Sequence, residues 1–153
     1  MEKVSKYVSY FELTHSNQAK ALRISNIPNA EQLGNLKLVC TNIFDKVREH
    51  FGKPIGISSG FRSHELNTRI GGSKSSQHME GKALDIDADI HGGINNKEIF
   101  DWIRKNCIFD QLIWEFGNDS APSWVHVSYN SQGNRGQVLR AVKSGGRTVY
   151  QPF

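Results

Sequence analysis

Between Ala83 and Asp89 the chain alternates, with Leu84, Ile86 and Ala88 on one side and Asp85, Asp87 and Asp89 on the other. Successive side chains of a strand point to opposite faces. The run therefore reads as a strand with an apolar face in a core and a carboxylate face toward a cleft or solvent. The residues leading into it include Ser76, His78 and Gly81. Glycine lets the chain turn sharply, so His78 can fold back to meet Asp85, seven positions on.

Two further runs read as strands. In Trp124 to Tyr129, His126 shares a face with Trp124 and Ser128. In Phe109 to Phe116, Glu115 shares a face with Ile113 and Gln111. If these strands pair, Glu115 and His126 point into one cleft. Two imidazoles and one carboxylate (His78, His126 and Asp85) suit a three-ligand zinc site whose fourth position is left to water. The spacing of His78 and Asp85 alone is a weak pattern; the set of three points to a zinc-dependent hydrolase.

Glu115 lies inside an apolar stretch, where a charge is costly unless it is paired or used. It reads either as a general base for the attacking water or as a salt-bridged or edge-exposed glutamate. Arg62 follows a strand and the turn at Gly60. There it either donates to a substrate carbonyl oxygen and steadies an oxyanion or braces its loop. Ser76 is open between hydrogen-bonding substrate, orienting His78 and capping a loop. Trp124 joins Arg62 and Ser76 as a candidate substrate contact. His15, His50, His64 and His91 lack such context, and Asp87 and Asp89 read as a surface or supporting pair.

Elsewhere the pattern predicts a helix from about Ala30 to His50, with Leu33, Leu36, Cys40, Ile43, Phe44, Val47 and Phe51 at helical spacing. Asn29 caps its start, and Gly52 with Pro54 stops it. A short strand begins at Ile55, a helical turn spans His64 to Thr68, and residues 71–76 form a loop. Asn95 and Glu98 suggest a capping box for a helix that turns Ile99, Trp102 and Ile103 inward. Val138 to Tyr150 reads as a closing hairpin around Gly145 and Gly146. Residues 1–28 read as an irregular segment packed on the rest. Short strands in close succession favour antiparallel pairing, so the expected fold is α+β: one domain over 1–153, with a small central antiparallel sheet flanked by helices.

The chain has 153 residues and 37% hydrophobic content, enough for one core. No apolar run approaches a membrane span, and the first twenty residues lack the apolar stretch of a secretory signal. Two cysteines, Cys40 and Cys107, do not make a disulfide scaffold and read as small buried hydrophobes. The net charge is +4. No acidic residue follows Asp119, whereas Arg135, Arg140, Lys143 and Arg147 do. These cations have no interleaved aromatic platform, so nucleic acid is not an expected partner. Attraction to an anionic cell-wall matrix is the alternative to a merely solvated basic face.

The spacing of Ser76, His78, Gly81, Ala83 and Asp85 resembles the signature of the M15 zinc peptidases, the D-alanyl-D-alanine carboxypeptidase family. Residues 58–63, Leu66 and Asn67, residues 70–73, residues 109–115 and Trp124 to Ser128 resemble, in order, the branch common in phages and prophages. The resemblance implies that His78, Asp85 and His126 bind Zn2+, that Arg62 polarises the substrate, and that the substrate is a peptidoglycan stem peptide. Other branches carry the catalytic glutamate three residues before the last histidine, where this chain has Ser123. The hedgehog signalling domain, which shares the fold, places it on the preceding strand, and Glu115 fits that arrangement. The implied cleavage is endolysin-like, within the stem, or D,D-carboxypeptidase-like, at its terminal D-alanine; the implied setting is synthesis in a bacterial cytoplasm without a signal peptide, then action on the wall, as for a phage endolysin released by a holin. The expected form is a monomer without membrane partners. A prophage or housekeeping enzyme, or a non-catalytic zinc-stabilised wall-binding or virion module, is the alternative.

Overall fold

The computed structural model describes residues 2–153. Its centre is a six-stranded sheet in the order β1-β2-β4-β3-β5-β6. The strands are β1 (Gly56–Ser59), β2 (Ala83–Asp87), β3 (Gln111–Glu115), β4 (Trp124–Ser128), β5 (Gln137–Ser144) and β6 (Arg147–Pro152). One face carries Leu84, Ile86, Leu112, Trp114, Val125 and Val127, all in the main core. Helix α3 (Ala30–Val39) runs through a π-helical turn at Cys40–Phe44 into α4 (Asp45–Phe51). This composite helix adds Leu36, Val39, Cys40, Ile43, Phe44 and Val47 to that core. Asn29 caps its start in a reciprocal box with Gln32, and Gly52 ends it with a φ of 63°. Helix α6 (Asn96–Asn106) covers the rest of the face with Ile99, Phe100 and Ile103.

Four expectations need correction. Residues 1–28 are not wholly irregular: they hold α1 (Tyr10–Thr14) and α2 (Asn17–Leu22), capped by Ser9 and Ser16. Helices this short carry no periodic stripe, so caps and the burial of Leu13 and Ala19 decide them. The strand expected to reach Asp89 stops at Asp87, whose Oδ1 accepts from Asp89 N at 3.0 Å and starts a 3₁₀ turn over Ala88–Ile90. Trp102 is only half-buried and stacks on His50, while Phe100 takes the inward place. The sheet is also not wholly antiparallel, because β3 and β5 run parallel. The chain leaves β3, returns antiparallel as β4 on one side, and then lays β5 along the other side of β3.

Helix α5 (His64–Arg69) follows β1, and its N-terminus is capped by Ser63. Cys40 is fully buried, whereas Cys107, which caps the end of α6, is only half-buried. No helix among the described residues is long and apolar enough to cross a membrane.

Candidate metal centre and cleft

The sheet face away from the core floors a cleft, and strand register sets its layout. Asp85 on β2 pairs with His126 on β4, and His126 pairs with Ile113 on β3. His78 approaches from outside the sheet on a 3₁₀ turn, Gln77–Glu80. Ser76 Oγ accepts from His78 N at 3.3 Å to start that turn, and Gly81 closes it with a φ of 74°. A Cβ on Gly81 would stand 2.3 Å from Gln32 O, so conformation and space both demand glycine. The expected hairpin-like return of His78 onto Asp85 is thus what the structure contains.

The three donors converge. His78 Nε2 lies 3.2 Å from Asp85 Oδ1, and His126 Nδ1 lies 3.1 Å from the same oxygen. The ligand atoms all lie within 4.8 Å of one another, and all three residues are buried. His78 Nδ1 is 2.7 Å from Gly60 O. A carbonyl only accepts, so Nδ1 carries a proton, and Nε2 is the ring atom left to face Asp85. Two imidazole nitrogens and one carboxylate oxygen thus meet in a buried pocket, a donor set that a divalent cation takes. A carbonyl that holds the outer nitrogen of a histidine is how metal sites orient such ligands. The residues therefore fit a divalent metal, with donors of the kind zinc takes. Burial opposes ionisation of Asp85, but the two imidazoles outweigh it and hold the carboxyl well below the usual range.

Glu115 is one residue along the same face from Ile113, diagonal to His126 and directly opposite Trp124. It is 7% exposed, and its carboxylate forms no salt bridge with any described residue. Burial pushes its carboxyl up to about 7; Asp85 adds to the rise, while His126 and Arg62 oppose it. A buried, unpaired carboxyl poised near neutral pH in a cleft has the properties of a general base. The salt-bridged or edge-exposed alternative for Glu115 does not describe this position.

Arg62 is also in the cleft. Its backbone N–H donates to His78 O at 3.2 Å, and Nη2 donates to Ser76 Oγ at 3.3 Å. Nε is buried with no partner among the described residues, and burial lowers the guanidinium pKa against the pull of Asp85 and Glu115. The arginine is thus only partly braced by its loop and keeps donors for a ligand. Ser76 serves two groups at once, capping the turn of His78 and steadying Arg62. Trp124 lines the cleft and packs edge-on against Phe116. His15, His50, His64 and His91 lie outside the cleft.

Sequence reasoning missed two parts of this site. One is the contribution of β5 and β6, whose Gln137, Leu139, Lys143, Thr148 and Tyr150 line the cleft. The hairpin was visible, but the parallel pairing that brings it to Glu115 was not. The other is Asp110, which is buried and accepts from Arg135 Nε at 3.0 Å, Arg135 Nη2 at 2.8 Å and Gln77 Nε2 at 2.9 Å. The Arg135 bonds hold its carboxyl down at about 2. This cluster ties the 130–136 loop to the turn that carries His78.

A three-donor His/Asp/His cluster beside a poised carboxyl and an arginine defines a metal-dependent hydrolase site. Residues 6–128 match the family model described as Peptidase M15, and the chain belongs to that family. It is also similar to the zinc D-Ala-D-Ala carboxypeptidase of Streptomyces albus G, at 45% identity over 40 residues. Those residues are 26% of this chain and only 16% of that protein. Zinc is the metal that this family and the donor set indicate.

Proposed function

We propose that the protein is a zinc-dependent peptidase that hydrolyses a peptide bond in the peptidoglycan stem, with His78, Asp85 and His126 as the zinc ligands. The observation that carries this reading is the convergence of His78 Nε2 and His126 Nδ1 on one oxygen of Asp85. The peptide substrate is supported by membership of the M15 family and by the likeness to a carboxypeptidase named for D-Ala-D-Ala.

Zinc held by these three residues would supply Lewis acidity and lower the pKa of a water beside it. Glu115 accepts a proton from the attacking water as the water oxygen bonds to the scissile carbonyl carbon. The same carboxyl then gives the proton to the departing nitrogen as the C–N bond breaks, and the water's second proton passes from the new carboxylic acid to the amine, leaving a carboxylate and an ammonium. Arg62 donates to the carbonyl oxygen as negative charge grows on it, the form of stabilisation expected of preorganised donors. A non-catalytic module would use neither residue, so the presence of both beside the donor cluster favours an enzyme.

The finer reading is an endolysin-type enzyme, and the net charge of +4 supports attraction to an anionic wall. The test is mass spectrometry of purified muropeptides digested with and without a chelator. New amino and carboxyl termini within the stem, lost on chelation, are expected. Intact muropeptides from zinc-loaded, folded protein would overturn the proposal.

A further inference from the structure

The hairpin β5–β6 lies beyond the family-matched residues 6–128, yet it builds one wall of the cleft. Trp124 pairs with Glu115, Glu115 with Ala141, and Ala141 with Tyr150. Residues directly opposite one another share a face of the sheet. The four therefore form a row across four strands, on the face that carries His126. Ala141 presents only a methyl group, so no tall side chain stands between Glu115 and the Tyr150 ring. The row ends in an aromatic residue on each side, with the carboxyl of Glu115 between them. At about 4.8 Å per strand spacing it spans roughly 14 Å, the length of about four extended residues.

Tyr150 is 50% exposed and lines the cleft together with Arg62, Glu115 and Trp124. Partial burial raises its phenol pKa, the carboxylates of Glu115 and Asp85 add to the rise, and Arg62 opposes it. The hydroxyl therefore stays protonated as a donor, in the cleft that Arg62 and Glu115 also line. Tyrosine offers an apolar ring for packing and a polar tip for one directed bond.

We propose that Tyr150 is a substrate-binding residue: its hydroxyl donates a hydrogen bond to a backbone carbonyl of a peptide lying along the Trp124–Glu115–Tyr150 row, and its ring packs on that peptide. This rests on the peptidase reading and adds to it a segment outside the matched family region. It also sets the length of peptide the cleft grips, about four residues.

The test uses the full-length zinc-loaded protein, a synthetic four-residue stem peptide, and the variants Tyr150→Phe, Tyr150→Ala and Val149→Ala. Val149 lies on the same strand but points to the other face. Tyr150→Phe is expected to raise KM on the order of three- to tenfold, the weight of one hydrogen bond to a neutral group. Tyr150→Ala raises it further. In both, kcat, zinc content and thermal midpoint stay near wild type, and Val149→Ala leaves KM unchanged. Calorimetry on the zinc-free proteins reads the same loss as weaker peptide binding. Wild-type KM and peptide affinity in Tyr150→Phe would overturn the proposal, whatever the alanine variant does. A wild-type protein that cleaves and binds no stem peptide fails at the peptidase reading and takes this inference with it.

Discussion

Glu115 shows how a single buried group links stability to chemistry. Its carboxyl is raised from an ordinary 4.5 to about 7, chiefly by burial. The folded protein therefore holds this proton more tightly than the unfolded chain does. Stability drawn from that proton is complete below about pH 4.5 and is lost as pH rises toward 7. In the metal-free protein, Glu115→Gln should thus melt above wild type at pH 8, by on the order of 1–3 kcal/mol, and should match it at pH 4. Zinc-loaded Glu115→Gln should keep its metal but lose turnover by roughly 10²–10⁴-fold, the usual weight of a proton-transfer group. Denaturation curves at the two pH values and steady-state kinetics check this. Unchanged turnover in the zinc-loaded variant would mean that another group is the base. Arg62 makes a separate demand. With Nε unpartnered and Nη2 on Ser76, Arg62→Ala should cut kcat/KM by roughly 10²–10³-fold, as for a lost oxyanion donor. Arg62→Lys should not restore it, because a single ammonium lacks the planar fork. Wild-type kcat/KM in a folded, zinc-loaded Arg62→Ala would reduce the arginine to a loop brace.

Among the elements, the turn between His78 and β2 carries the most consequence for its size. It holds one proposed zinc ligand, His78, and leads into the strand of a second, Asp85, and Gly81 closes it against α3. Gly81→Ala must accept a positive φ and a Cβ 2.3 Å from Gln32 O. It should lower stability by about 1–3 kcal/mol and weaken zinc retention together, read by thermal melting and by metal content after dialysis. Retention of both at wild-type level would show that the turn can relax without moving His78. This element was legible in the sequence because a glycine between two donor residues has few other purposes. So were the alternation of β2, β3 and β4 and the cap at Asn29, since local periodicity and local chemistry decide them. The parallel pairing of β3 with β5 was not legible, for it depends on which sheet edge accepts the returning chain. Nor were α1 and α2, whose few residues hold too little pattern. Gln137 and Tyr150 escaped notice as cleft residues for the same reason: the hairpin was readable, but its neighbours were not.

At the scale of the molecule, the sheet separates two tasks. One face is sealed by α3, α4 and α6 over a continuous apolar core. The other gathers donor atoms from the turn before β2, from β2 itself and from β4, with Glu115 on β3 and the hairpin wall alongside. Ligands drawn from distant parts of the chain converge only once the sheet is formed, so metal binding and folding should reinforce each other. The most direct measurement is the zinc content of purified wild-type protein beside that of His126→Ala, both confirmed folded. Wild type should hold about one equivalent, as a single three-ligand site requires, and the variant should lose it along with cleavage of the stem peptide. A His126→Ala protein that keeps a full equivalent of zinc and its activity would contradict the assignment of the metal centre.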